Sequence, residues 1–253
     1  MRYLLSAIMV FIICIHVQAQ ADTAFTYYNP LWKPVVKDSA TFYEKKYWHN
    51  QLLKRDTYRA DSNIIMRTAS FADTAGKIAK GFFSRYDRKG IIRDSIYVEG
   101  HQRKEGWYFY STGQKKAYFH TNAKGEYDVQ KGWDEQGKEI AGYVAFRPAV
   151  FAGGDSAWKA YLMQGLTTNQ PEAYAAGKIS GVVEVLFNVA PDGSITDVRV
   201  GKSSGHAELD KHAIEVISSS PRWTPGIQFN EYVRYFQRQS LTYSPQQPAA
   251  TQP

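Results

Sequence analysis

The side chains that could carry acid–base or metal chemistry in this sequence are few and poorly spaced for it. His206, Asp210 and His212 lie close together in the chain. On a helix only residues three or four apart are neighbours, so Asp210 and His212 do not share a face. The three read as solvated residues. His101, His120 and the scattered serines lack the spacing of a catalytic triad or a metal site. The glycines sit in hairpin turns, not in a loop that could cradle phosphate. Neither an enzyme nor a cofactor is expected.

The elements that would hold these residues follow from composition and pattern. The chain has 253 residues, of which 43% are hydrophobic, with 6 Trp, 18 Tyr and 13 Phe. That is enough for one large domain or two small ones, and the aromatic content suits β structure. Residues 1–21 read as an export signal: Arg2, an apolar run from Tyr3 to Val17, then cleavage at Ala21, with Ala19 the other option. The run is shorter than the roughly 20 apolar residues that span a bilayer, so an inner-membrane anchor is the secondary reading. The sole cysteine, Cys14, lies inside this segment behind the bulky Ile13, which argues against lipid attachment. The mature chain would then have no thiol and no disulfide.

Charge is uneven. The formal net charge is +7; residues 22–142 hold 21 Lys and Arg against 15 Asp and Glu, whereas residues 143–253 hold 9 of each. A basic half beside a neutral half suggests two domains. The basic half suits an anionic envelope polymer or lipid headgroups, or merely has solvated strand faces. Export argues against nucleic acid.

Residues 22–63 form a mixed segment in which Pro30 and Pro34 bracket an extended piece, and Phe42–Tyr58 reads as short strands or a loose helix. Residues 64–142 have another texture. Aromatic runs alternate with the turns Asp73–Lys77, Asp87–Gly90, Ser111–Lys115, Asn122–Gly125 and Asp134–Lys138, and Gly113, Gly125 and Gly137 fall twelve residues apart. Glycine after Asp or Asn is the chemistry of tight hairpin turns, and turns at this spacing mean a hairpin array. "GWYFYSTGQKKAYFH" (Gly106–His120) loosely resembles YwqK or MORN-type repeats. Trp107, Tyr108, Phe109 and Tyr110 are either a stacking platform for a ligand or part of the array's core.

In the neutral half Asp155 is a candidate N-cap, and Trp158, Tyr161, Leu162 and Leu166 make one helix face, ended by Pro171. Val183, Val185, Phe187 and Val189 alternate with Val182, Glu184, Leu186 and Asn188; Pro191, Asp192 and Gly193 turn the chain; Val198 and Val200 resume the inner face. Leu209, Ala213, Val216 and Ile217 give a helix covering that hairpin. Pro221, Trp223, Pro225 and Gly226 end it, with Trp223 plugging the core, and Glu231–Tyr243 reads as the third strand. The tail, residues 244–253, reads as disordered.

Taken together, "DSAWKAYL", "GVVEVLFNV", "PDGSITDVRV", "LDKHAIEVI" and "SPRWTPG" resemble the C-terminal domain of TonB in the form common among Bacteroidetes, over residues 148–243. The fold expected is α+β: an N-terminal antiparallel β-hairpin repeat array, then a three-stranded antiparallel sheet packed by two helices. The resemblance implies a periplasmic protein of outer-membrane transport. It would bind the TonB-box peptide of TonB-dependent receptors by strand addition. The binding edge maps onto Tyr232, Val233, Arg234, Tyr235, Phe236, Gln237 and Arg238, with Gln170–Gly181 leading into the first strand. Arg234 and Arg238 would meet an acidic peptide or guard the edge against aggregation. A full TonB has an N-terminal membrane helix for its inner-membrane motor partners and a Pro-rich spacer. Here the apolar run stops after His16 and the array stands in the spacer's place. The alternative is a passive periplasmic adaptor without proton coupling, able to form a homodimer.

Overall fold

A computed structural model describes residues 23–245. The export signal with Ala19, Ala21 and Cys14, and the tail from residue 246 onward, lie outside the described residues. The expected α+β architecture is present. Nine strands in chain order form the N-terminal array: β1 (Ala24–Tyr28), β2 (Phe42–His49), β3 (Leu52–Arg59), β4 (Ile65–Phe71), β5 (Lys80–Tyr86), β6 (Ile92–Glu99), β7 (Gln102–Phe109), β8 (Lys115–Thr121) and β9 (Tyr127–Gly132). There follow β10 (Phe146–Arg147), α1 (Gly154–Thr167), α2 (Glu172–Ala175), β11 (Gly181–Val189), β12 (Ile195–Lys202), α3 (Ala207–Ser218), β13 (Gly226–Gln228), β14 (Glu231–Val233) and β15 (Tyr235–Tyr243). The chain divides into two compact units, one up to Gly90 with Tyr97–His101, the other Ile91–Ile96 with Gln102 onward.

In the first unit, Phe42–Tyr58 takes the strand reading rather than the helical one: it forms the β2–β3 hairpin. Asn50 and Gln51 turn it, both at positive φ (48° and 61°), as a two-residue turn matched to strand twist requires. No clean period showed in the sequence because both faces of this hairpin carry charged and aromatic rungs. On one face Tyr43 stacks on Tyr58 at 4.9 Å and the Tyr47 hydroxyl donates to Asp56 at 2.9 Å. On the other, buried Glu44 accepts from Arg55 and pairs with Lys46 at 3.4 Å. Cross-strand ionic and aromatic pairs of this sort stabilise a sheet without an aliphatic core.

In the second unit, the turns over Ser111–Lys115, Asn122–Gly125 and Asp134–Lys138 have the predicted chemistry. Gly113, Gly125 and Gly137 each close an i to i+3 bond to a carbonyl (2.9, 2.9 and 3.0 Å) at positive φ, and the side chains of Asn122 and Asp134 accept backbone N–H groups two residues on. Strand alternation splits the aromatic run. Tyr108 packs with Phe146 and Phe229 (5.4 and 4.9 Å), whereas Trp107 lies against Tyr118 and Trp133 (4.4 and 5.8 Å).

The same unit holds a three-stranded antiparallel sheet of order β12-β11-β15 and a small sheet of order β10-β13-β14. Val183, Val185, Phe187 and Val189 of β11 are buried with Leu209, Ala213, Val216 and Ile217 of α3, Leu162 of α1 and Leu241 of β15. The helix faces read from sequence are thus the buried ones. Asp155, however, sits inside the first turn of α1; the cap is Gly153, whose φ of 85° turns the chain without a side-chain bond. Trp223 closes one end of the core, edge-on to Phe151, Trp158 and Phe187. The expected single strand over Glu231–Tyr243 is two: β14 pairs with β13, and the chain changes sheets at Arg234 to enter β15.

Candidate peptide-binding edge

The β11–β12 hairpin is fixed at its turn. The Gly193 N–H donates to the Ala190 carbonyl at 2.8 Å, and the Ser194 N–H and hydroxyl donate to Asp192 Oδ1 at 3.0 and 2.6 Å. Arg222 Nη1 donates to the Asp192 carbonyl and carboxylate at 2.7 and 2.9 Å, and the Trp223 N–H donates to the Gly193 carbonyl at 2.9 Å. The Ser194 hydroxyl, then its N–H, then Arg222 hold the Asp192 carboxyl down at about 2. A depressed carboxyl pKa stabilises the fold above the ordinary carboxylate range and loses that effect as pH falls towards the folded-state value. The thermal midpoint of the wild type should therefore approach that of Asp192→Asn between about pH 4 and pH 2. A gap that stays constant over that window would refute the role given to this carboxylate.

The sheet has two borders, and they differ. Along β11 and β12 the register shifts twice, between Glu184 and Val185 and between Leu186 and Asn188, and Asp197 takes a φ of 55°. Such bulges blunt a border against further pairing. Along β11 and β15 nine successive pairs run from Gly181 opposite Tyr243 to Val189 opposite Tyr235, with no shift. β15 is the last strand of the sheet on its side. Alternate residues of a strand direct N–H and C=O away from the neighbour they are paired with, so β15 directs backbone donors and acceptors to its open side; the Ser240 carbonyl already accepts from Gln239 Nε2 at 2.9 Å.

Around this border, Tyr235, Gln237, Gln239, Leu241 and Tyr243 face the helices, and Phe236, Arg238, Ser240 and Thr242 face out. Two glutamines on the inner face explain the imperfect alternation: Gln239 Oε1 accepts from Trp158 Nε1 at 2.8 Å, and Gln237 Nε2 donates to the Ala149 carbonyl at 3.4 Å. The outward Phe236 is 51% exposed. Arg238 pairs with Glu184 at 3.4 Å. Arg234 reaches Asp197 at 3.1 Å, and Asp197 also accepts from Asn188. Both arginines thus hold a carboxylate of their own sheet. Tyr232 and Val233 lie on β14, in the small sheet, and Tyr235–Arg238 lie on the open border.

His212 is not solvated. It is 4% exposed, with Nδ1 against the Tyr243 hydroxyl and Nε2 against the Thr168 carbonyl, both at 2.9 Å. It stands three residues after Leu209 and so belongs to the buried face of α3. The lead-in Gln170–Gly181 contains α2, and the Tyr174 of that helix packs edge-on to Tyr243 at 5.2 Å. These contacts pin the far end of β15. Asp210, by contrast, accepts from Ser203, Ser204 and the Ser204 N–H at the entrance to α3, a local tie rather than a catalytic one. Among the described residues no group of three His, Cys, Asp or Glu could hold a metal ion, and no helix is long and apolar enough to cross a membrane.

Residues 169–244 match the family model for the Gram-negative bacterial TonB protein C-terminal domain. The match runs from the loop after α1 to the end of β15 and so contains the whole three-stranded sheet. The family is one of non-catalytic protein-interaction domains. Comparison with curated proteins finds no match.

Proposed function

We propose that this chain, which carries a TonB C-terminal domain at residues 169–244, works in the periplasm as a TonB-like component of outer-membrane transport. It takes up the exposed TonB-box peptide of a receptor as an added strand on β15. The observation that carries this reading is the contrast between borders: nine regular pairs behind β15, two register shifts behind β12. Each main-chain bond to the guest contributes about 1 kcal/mol net, and ordering the peptide offsets part of that sum. The net is weak, reversible binding, suited to a contact made and released repeatedly. The array, standing where a spacer would be, favours a passive adaptor over an energised one. The mass of the mature N-terminus separates the two, since cleavage at Ala19 or Ala21 removes the apolar run.

A proline scan over Phe236, Gln237 and Arg238 tests strand addition. Adjacent N–H groups of β15 point alternately to β11 and outward. Proline at an outward N–H is tolerated by an edge strand but removes a donor the guest needs. At neighbouring positions one variant should lose its fold, while the other keeps its thermal midpoint and binds a synthetic TonB-box peptide at least tenfold more weakly, about 1.4 kcal/mol. Fluorescence anisotropy of the labelled peptide reads the second effect. If every folded variant binds like the wild type, the guest strand is not on this border.

A further inference from the structure

The loop between β1 and β2 holds apolar side chains out in water by construction. Leu31 and Val36 are 75% and 72% exposed, and Trp32 is exposed between them. Single exposed apolar residues need no explanation, but three within six positions of a rigid loop do. Asn29 gathers the loop: its side chain accepts the N–H groups of Leu31 and Lys33, each at 3.0 Å, and its carbonyl accepts that of Trp32 at 3.0 Å. Tyr28 bridges to Pro34, and a 3-10 turn at Lys37–Ser39 closes the far side.

Trp32 has a φ of 58°, a region that bulky residues occupy only when their surroundings force it. Here the indole stacks on Phe42 at 4.8 Å and 9°, with the Arg67 guanidinium over it at 5.1 Å. These contacts hold the strained turn, and the strained turn holds Leu31 outward. The charged groups of the loop are Lys33, Lys37 and Asp38, all exposed, so the tips stand in a net positive setting reinforced by Arg67.

We infer that this loop, Asn29–Ser39, is a docking site for an anionic lipid surface: Leu31 and Val36 enter the acyl boundary, Trp32 lies at headgroup level, and Lys33 and Lys37 meet the phosphates. The chemistry fits this occupant. Aliphatic tips, an indole at the boundary and flanking lysines are the composition of an interfacial anchor. Basic residues beside it add attraction to acidic headgroups that salt screens. The inference does not depend on what β15 binds.

The test uses the full chain with Cys14→Ser and a single environment-sensitive fluorophore on Leu31→Cys, on Val36→Cys or, as control, on Met163→Cys, which is 71% exposed but on α1. Each is mixed with vesicles of phosphatidylethanolamine and phosphatidylglycerol, or of phosphatidylcholine alone. A blue shift at Leu31 and Val36 but not at Met163, on the acidic vesicles only, is the expected result. Lys33→Glu with Lys37→Glu should weaken that signal at least about tenfold, as should added salt. No shift at Leu31, an equal shift at Met163, or an equal shift on phosphatidylcholine each overturns the inference.

Discussion

Trp223→Ala should lower the unfolding free energy by about 3–5 kcal/mol, the largest single loss expected in the molecule. Trp223 is buried and touches three other aromatic rings, with Trp158 nearest at 4.9 Å. Its indole N–H donates to the Ser220 hydroxyl at 2.9 Å. Truncation empties a site walled by Phe151, Trp158 and Phe187 and leaves that hydroxyl without its donor. Those walls belong to α1, the segment before it and β11, so they have no common way to collapse inward. Against a typical total of about 5–15 kcal/mol this is a large share of the stability, enough to bring a domain at the low end of that range to its midpoint. Urea unfolding followed by far-UV circular dichroism measures the loss, and a change under about 1 kcal/mol would show that the core closes without this ring.

Gly193→Ala is the second. Gly193 has a φ of 83°, and a Cβ there would stand 2.2 Å from the Trp223 carbonyl oxygen. The first feature alone costs a side chain about 1–2 kcal/mol. The second cannot be relieved by a rotamer change, because the obstacle is backbone, and that backbone is tied to Gly193 by the Trp223 N–H bond. A total of about 2–4 kcal/mol follows. Gly125→Ala is the control, since Gly125 has a φ of 82° with nothing within 4 Å of its added Cβ. It should incur the conformational cost only. Equal midpoints for the two alanine variants would mean that the turn yields and the contact with Trp223 is unimportant.

Much of the second unit was legible from residue order. One-sided alternation over Val183–Val189 gave β11, and the apolar spacing after Leu209 gave α3. These elements are buried on one side only, and that is the condition under which a period appears in a sequence. The β2–β3 hairpin was only half legible, as strands or a loose helix, for the opposite reason: Glu44 and Asp56 are satisfied by neighbours on faces that are not uniformly apolar. His212 was misjudged because a polar residue on a buried face is recognised only when its partners are known, and Tyr243 and Thr168 are remote in the chain. From Tyr235 onward the chain is extended backbone, as its β-prone composition suggested. That Tyr232 and Val233 join another sheet follows from their pairing with β13, which no local pattern announces.

The turns at Gly113, Gly125 and Gly137 have a consequence for how such chains vary in length. Each twelve-residue module contributes one rung and the bend that reverses direction, and each bend is closed by its own Asp, Asn or carbonyl rather than by a distant element. Deleting or duplicating two successive modules preserves the direction of the strands that follow and leaves the turn chemistry of the neighbours unchanged. Related chains should therefore differ in steps of about twenty-four residues, two antiparallel strands at a time, each step altering the width of the sheet by roughly 10 Å.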